Sequence, residues 1–331
     1  LRLFLRYDPD QGLDHFFASV DWSTASSRQL AHAFLGRPPL PGASHLTDPA
    51  AEARRLFESD EFRHGLLRRV LMALPGKQRL LFVHLPKCAG TDFEVAMRPV
   101  HPSLHQGLDW IGATDAAELA KRLHAFMRHV QQAHTVFVGG HVPLPWYLDN
   151  ELYRFGDRLM TIVRHPHEIA VSFANYVVYC MKSDPAFATD YVRGWGAMAG
   201  IERFDLGWTE DAVKELTQRI VTMPGLMPIN PICTLLGGGT AATSLANLAR
   251  VDIEITDVTR YSAWLKARWG IERSFRANAA PQIVTASDLT SAEKARIEAA
   301  CLEDMRVYTA ITRGLDSTGG LSVTGPQVAC A

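Results

Sequence analysis

The sequence predicts an α/β protein, a parallel sheet flanked by helices, entered through a helical N-terminal segment. Three observations carry this. Short apolar runs of buried-strand length recur at 80–83, 135–138 and 158–163. Longer stretches with helical spacing alternate with them, most clearly at 116–132 and 166–181. The first 76 residues carry helical spacing alone. Strands alternating with helices point to crossover connections and a parallel sheet. The expected organisation is a helical segment over 1–76, an α/β domain over 77–315 and a disordered tail over 316–331.

In the opening segment Leu13, Phe16, Phe17 and Val20 share one helical face, as do Leu30, Ala33 and Phe34. GRPPLPG (36–42) breaks the chain with three prolines and two glycines. Asp48-Pro49 then opens a helix as N-cap and first helical residue, and Ser59-Asp60-Glu61-Phe62 starts another carrying Leu66, Leu67, Val70 and Leu71.

The run 80–85 (LLFVHL) is a strand ended by Pro86, followed by a small-residue turn and a helix over Asp92–Met97. Thr114-Asp115 caps a helix from Ala116 to about Gln132. The strand Thr135–Val138 ends at Gly139-Gly140-His141, and the strand Arg158–Val163 ends at Arg164. Pro166 opens a helix reaching about Met181. The polar, aromatic stretch 182–210, with Trp195 and Trp208, reads as a substrate-side insertion. Helices are expected over 211–221 and 230–236, a flexible break at Gly237-Gly238-Gly239, a strand over 250–256 and a helix over 258–269. Ser291–Arg313 reads as one closing amphipathic helix, and the Gly/Ser/Thr-rich tail as disordered.

Composition narrows the function classes. The 331 residues are 47% hydrophobic and 21% charged, with a net charge of −1. That balance gives no support for a nucleic-acid-coating protein. Five scattered cysteines, Cys88, Cys180, Cys233, Cys301 and Cys330, form no CxxC and fit neither a disulfide framework nor a zinc site. Thirteen histidines include no convincing helical ligand pair, so no metal is assigned. No apolar run approaches the ~20 residues of a membrane span. A cytoplasmic setting follows, and the Ala- and Arg-rich composition suggests a bacterial source. The chain begins at Leu1 rather than Met, so an upstream segment, a membrane anchor included, stays open, as does a peripheral membrane position.

The chemistry-bearing stretch is Leu85-Pro86-Lys87-Cys88-Ala89-Gly90-Thr91 between strand and helix. A strand, a tight loop and a helix start aim several backbone N–H groups at one point, which suits a phosphate. Lys87 adds a full positive charge there and Thr91 a hydroxyl. The pattern is not Walker A, which places its Lys last, beside Ser or Thr. Arg164, at a strand end, and Ser172, eight residues later on the following helix, offer a guanidinium fork and a hydroxyl to a second phosphate. His141 follows Gly140 at a third strand end. Ligands of open α/β sheets bind outside the carboxyl ends of the strands, so Lys87, His141 and Arg164 should meet.

These motifs, LPKCAGT, GGHV (139–142) and TIVRHP…S (161–172), resemble in order and spacing those of the sulfotransferases that use 3′-phosphoadenosine 5′-phosphosulfate (PAPS). The likeness is to bacterial relatives of heparan sulfate 2-O-sulfotransferase, and it covers residues 79–181. It implies a P-loop-like fold, PAPS as co-substrate and no metal. In its terms Lys87 stabilises the leaving group and His141 is the general base. Lys87, Cys88, Ala89, Gly90, Thr91 and Asp92 would hold the 5′-phosphosulfate, Arg164 and Ser172 the 3′-phosphate, and Asn278 would close over the nucleotide. Two positions depart: His165 stands where the family has Asp, and Ile169 where its helix carries a second Arg. Asn230–Cys233, the strand over 252–254 and Glu303-Asp304 before Tyr308 look like further landmarks of bacterial members.

The resemblance implies sulfuryl transfer to an acceptor hydroxyl on a carbohydrate, such as a bacterial polysaccharide, lipopolysaccharide or glycolipid. Trp146, Tyr147, Trp195 and Trp208 are candidates to stack on sugar faces. Two other readings remain open. One is an ATP-dependent phosphotransferase of the P-loop type, which would want GK[ST] and a strand-terminal Asp for magnesium. The other is a catalytically inactive nucleotide-binding domain.

Overall fold

The computed structural model describes residues 7–21, 26, 29–31, 34, 48–59, 62, 78–97, 103–104, 116–132, 135–149, 153–154, 157–183, 209–222, 230–272, 281–315 and 320–323. The fold is α/β, with a mostly parallel sheet flanked by helices. Its strands are β1 (Gln78–Val83), β2 (Ser103–Leu104), β3 (Thr135–Gly140), β4 (Arg158–Val163), β5 (Ile253–Asp257) and β6 (Gly320–Val323). Their order is β2-β3-β1-β4-β5-β6. β1, β3 and β4 are each buried at every residue after the first. That is why they read as continuous apolar runs rather than alternating ones. β4 and β5 pair in parallel, with Val163 opposite Asp257.

The chain divides into two compact units that interleave in sequence. The first comprises Leu1–Leu81, Arg98–Gly140 and Tyr147–Asp157. Its N-terminal part is an aromatic cluster. Leu13, Phe16 and Phe17 of the Gly12–Ser19 helix are buried, and Phe17, Phe57 and Phe62 pack with ring centroids 6.0 and 5.1 Å apart. Asp48 caps the Pro49–Glu58 helix by accepting from the N–H groups of Ala50 and Ala51, as its sequence position predicts. The Tyr7 hydroxyl reaches the Ala117 carbonyl at 3.5 Å, and Tyr7 also meets His124, so this segment packs on the Ala116–Gln132 helix. Arg79, 1% exposed, forms a buried ion pair with Asp157 through two N–H groups. Leu66, Leu67, Val70 and Leu71 lie outside the described residues.

The second unit comprises Phe82–Met97, His141–Trp146 and Arg158–Ala331. The Pro166–Ser183 helix buries Ala170, Val171, Ala174, Val177, Val178 and Met181 against Ile220, Val221, Val284, Leu289 and Ile297. Asn175, buried among them, accepts from the N–H groups of Ile283 and Val284 and donates to the Val284 carbonyl. That ties an otherwise irregular segment to the helix.

Three expectations are corrected in this unit. Gly237-Gly238-Gly239 is an ordered corner between helices Pro231–Gly237 and Ala241–Leu248. Gly238 takes φ 73°, and the Gly238 and Gly239 N–H groups donate to the Thr234 and Cys233 carbonyls. The closing helix is two helices, Ser291–Ala300 and Leu302–Arg313, divided at Cys301. The division puts Glu303 and Asp304 on a helix start. From there the Asp304 carboxylate takes the N–H groups of Ile232 and Cys233, and Glu303 that of Ala241. The tail expected to be disordered contributes β6, antiparallel to β5 with Leu321 opposite Ile255. An open strand edge recruits a short Leu-Ser-Val segment in spite of its Gly- and Thr-rich flanks.

Candidate functional site

After β1 the chain turns sharply through 84–89, with the Cys88 N–H donating to the Leu85 carbonyl at 3.3 Å. Lys87 and Ala89 both take left-handed backbone, at φ 62° and 61°. Non-glycine residues adopt this region at a cost of roughly 1 kcal/mol or more each, so two in one six-residue loop mark a conformation held for a reason. Backbone in which left-handed residues alternate with others gathers N–H groups into an anion-binding concavity. The Phe93 N–H then donates to the Ala89 carbonyl and opens the Gly90–Met97 helix.

Lys87 and Arg164 are brought together on this loop. Arg164, directly after β4, donates from Nη1 to the Lys87 carbonyl at 3.2 Å and from Nε to Glu168 at 2.9 Å. The Lys87 ammonium stands 4.0 Å from the centre of the Tyr176 ring. Burial pulls its pKa down to about 8, with Arg164 acting in the same direction and Cys180 opposing. A desolvated lysine beside a second cation gains much from an arriving anion, which supplies the missing countercharge. Ser172 lies at the i+4 position from Glu168 and the i−4 position from Tyr176. The contacts of those two residues to Arg164 and Lys87 therefore place Ser172 on the helix face turned toward the loop.

His141, directly after β3, joins the same loop. Its Nδ1 lies 2.6 Å from the His84 carbonyl. A carbonyl only accepts, so Nδ1 carries a proton, and in the neutral ring Nε2 is then the atom that can act as a base. The His84 ring packs against His141 with centroids 4.2 Å apart and 32° between planes. His84 Nδ1 is 3.0 Å from the carboxylate of Glu94, which is fully buried. A Cβ on Gly90 would fall 2.0 Å from His84 Cδ2, so the ring occupies the space that only glycine leaves.

Cys88 is buried, and burial pushes its thiol pKa well up, so it packs rather than reacts. Thr91 and Asp92 sit in the first turn of the helix, Asp92 buried. His165, whose pKa burial lowers, sets its ring edge-on to Tyr308 at 5.1 Å. The Tyr308 hydroxyl donates to Asp257 Oδ2, and Thr259 donates to Oδ1 from its N–H and hydroxyl. Asp257 is thus a strand-terminal carboxylate with both oxygens engaged by the protein. Tyr147 is buried, with its hydroxyl pKa well raised by burial, and belongs to the core rather than to a sugar platform. Asn278, Trp195 and Trp208 lie outside the described residues. Among the described residues no three His, Cys, Asp or Glu side chains gather to hold a metal, and no helix is long and apolar enough to cross a membrane.

Sequence reasoning took His84 only for a strand residue, one place past where β1 ends, and missed Glu94, Tyr176 and Glu168. Glu168 and Tyr176 were within reach, each four residues from Arg164 or Ser172 on one helix face. Nothing in the spacing of His84 and Glu94 announces their pairing, which depends on how the loop doubles back. Asn230 and Asp304, expected as landmarks, interlock: the Asp304 N–H donates to Asn230 Oδ1, and burial raises the Asp304 pKa.

Comparison with protein-family models, with curated proteins and with solved structures finds no match.

Proposed function

We propose that this chain is a PAPS-dependent O-sulfotransferase of P-loop-like fold acting on a carbohydrate hydroxyl of a bacterial polysaccharide, lipopolysaccharide or glycolipid. The observation that carries this reading is the convergence of three distant side chains on one loop. Arg164 bonds the carbonyl of Lys87, and His141 bonds the carbonyl of His84, three residues earlier. The left-handed backbone at Lys87 and Ala89, the cations and the hydroxyls of Thr91 and Ser172 fit a nucleotide bearing phosphates at two ends. The motif resemblance supplies the donor's identity.

The donor supplies the sulfuryl group, whose bond to the 5′-phosphate oxygen breaks as the bond to the acceptor oxygen forms. Such transfers are loose and in line, so the protein's work is positioning and charge stabilisation. Lys87 and the N–H groups of residues 88–92 meet the negative charge that grows on the departing phosphate. His141 receives the acceptor hydroxyl proton at Nε2, a contribution of order 10²–10⁴-fold. Arg164, steadied by Glu168, and Ser172 select the 3′-phosphate. The engaged oxygens of Asp257 weigh against the magnesium-dependent phosphotransferase.

The test is incubation with labelled donor and glycan acceptor fractions, read by mass spectrometry, beside the Lys87→Ala, His141→Ala and Arg164→Ala variants. The expected result is a sulfated product, lost with either of the first two and requiring more donor with the third. Thermal stabilisation by ATP and magnesium but not by adenosine 3′,5′-bisphosphate would overturn the reading.

A further inference from the structure

We propose that Glu94 and His84 form a positioning pair for His141, a buried carboxylate–imidazole unit that orients the base and holds one negative charge behind it. The inference rests on the reading of His141 as the base. Glu94, on the helix after the loop, is fully buried and its carboxylate lies 3.0 Å from His84 Nδ1. A buried carboxylate persists only where partners compensate it, and the His84 ring is one of them. His84 in turn touches His141 twice, through the carbonyl that takes its Nδ1 proton and through the stacked ring. The Phe82 ring packs against the His84 ring with centroids 5.5 Å apart, and Gly90 leaves the space it fills.

The arrangement accomplishes with two residues what a single carboxylate does behind the histidine of a catalytic triad. It fixes the tautomer and stabilises the imidazolium that forms when the base takes a proton. In this pair the His84 Nδ1 faces the Glu94 carboxylate, while the His84 carbonyl takes the His141 proton. Among the described residues, Glu94 on the helix and His84 on the loop face the stack, and Lys87 and Arg164 carry positive charge on the same loop. Removing the Glu94 charge leaves both cations in place and makes His141 a weaker base.

The experiment is a titration of the histidine ring carbons by NMR in the substrate-free protein and in Glu94→Gln, with folding checked by circular dichroism. The His141 midpoint should fall by roughly one pH unit in the variant. Where turnover is measured, the acidic limb of its pH profile should move the same way, with kcat reduced roughly tenfold and donor KM unchanged. An unmoved His141 midpoint in folded Glu94→Gln overturns the proposal. Should that variant not fold, nitrogen shifts of the wild-type rings decide. A neutral His84 with His141 protonated at Nδ1 alone supports the pair, and an imidazolium at His84 near neutral pH overturns it. A His141 that responds in a protein unable to transfer sulfuryl groups would sustain the pair and sink the sulfotransferase reading.

Discussion

Replacing Gly90 with alanine puts one methyl group where the His84 ring already is. The added Cβ would stand 2.0 Å from Cδ2, 2.2 Å from Nε2 and 2.6 Å from Cγ, and no real contact is that short. The ring would have to retreat by more than 1 Å, roughly, to reach ordinary van der Waals separation. It has little freedom to do so, being held by Glu94 at 3.0 Å, by His141 on one face and by Phe82. Losing the charge-assisted bond to a buried carboxylate costs about 1.5–3 kcal/mol. Overpacking adds about 1–3 kcal/mol. The better helix propensity of alanine returns about 1 kcal/mol. The net destabilisation is about 2–5 kcal/mol, which lowers Tm by roughly 3–7 °C in a chain of this size. Urea unfolding and a thermal melt of Gly90→Ala measure this directly. A variant as stable as the parent, with unaltered histidine NMR signals, would refute the placement of the His84 ring.

Other outcomes follow from the same geometry. Because the Lys87 ammonium loses its proton near pH 8 in the free protein, affinity for adenosine 3′,5′-bisphosphate should fall as pH rises through 8. The loss between pH 7 and 9 should be about tenfold, measured by calorimetry, and Lys87→Arg should flatten it. On stability the same shift has the opposite sense. The unfolded chain keeps this proton to higher pH than the folded one, so Lys87's contribution is unfavourable below pH 8 and improves as pH rises toward its unfolded value. Asp157→Asn strips the charge facing Arg79 in a site where both partners are buried, and should cost about 3–5 kcal/mol in urea unfolding. Asp304→Ala frees the Ile232 and Cys233 N–H groups at a helix start and should cost about 1–2 kcal/mol, read the same way.

The sequence by itself determined the alternation of strands and helices, because strands buried on both faces must be apolar throughout and amphipathic helices must keep their stripe. It also placed His141 and Arg164 directly after their strands, whereas the first strand, expected to run to Leu85, stops at Val83, four residues before Lys87. Only the tertiary structure decided which helices break and which tail residues order. Cys301 interrupts an unbroken helical pattern so that two carboxylates can cap neighbouring helices, and β6 forms because β5 offers an edge. The Glu94–His84–His141 stack belongs to the same class. Local periodicity reports which face of an element is apolar. It carries no record of a ring seated over a glycine six residues along, because that contact exists only once the loop has closed on itself.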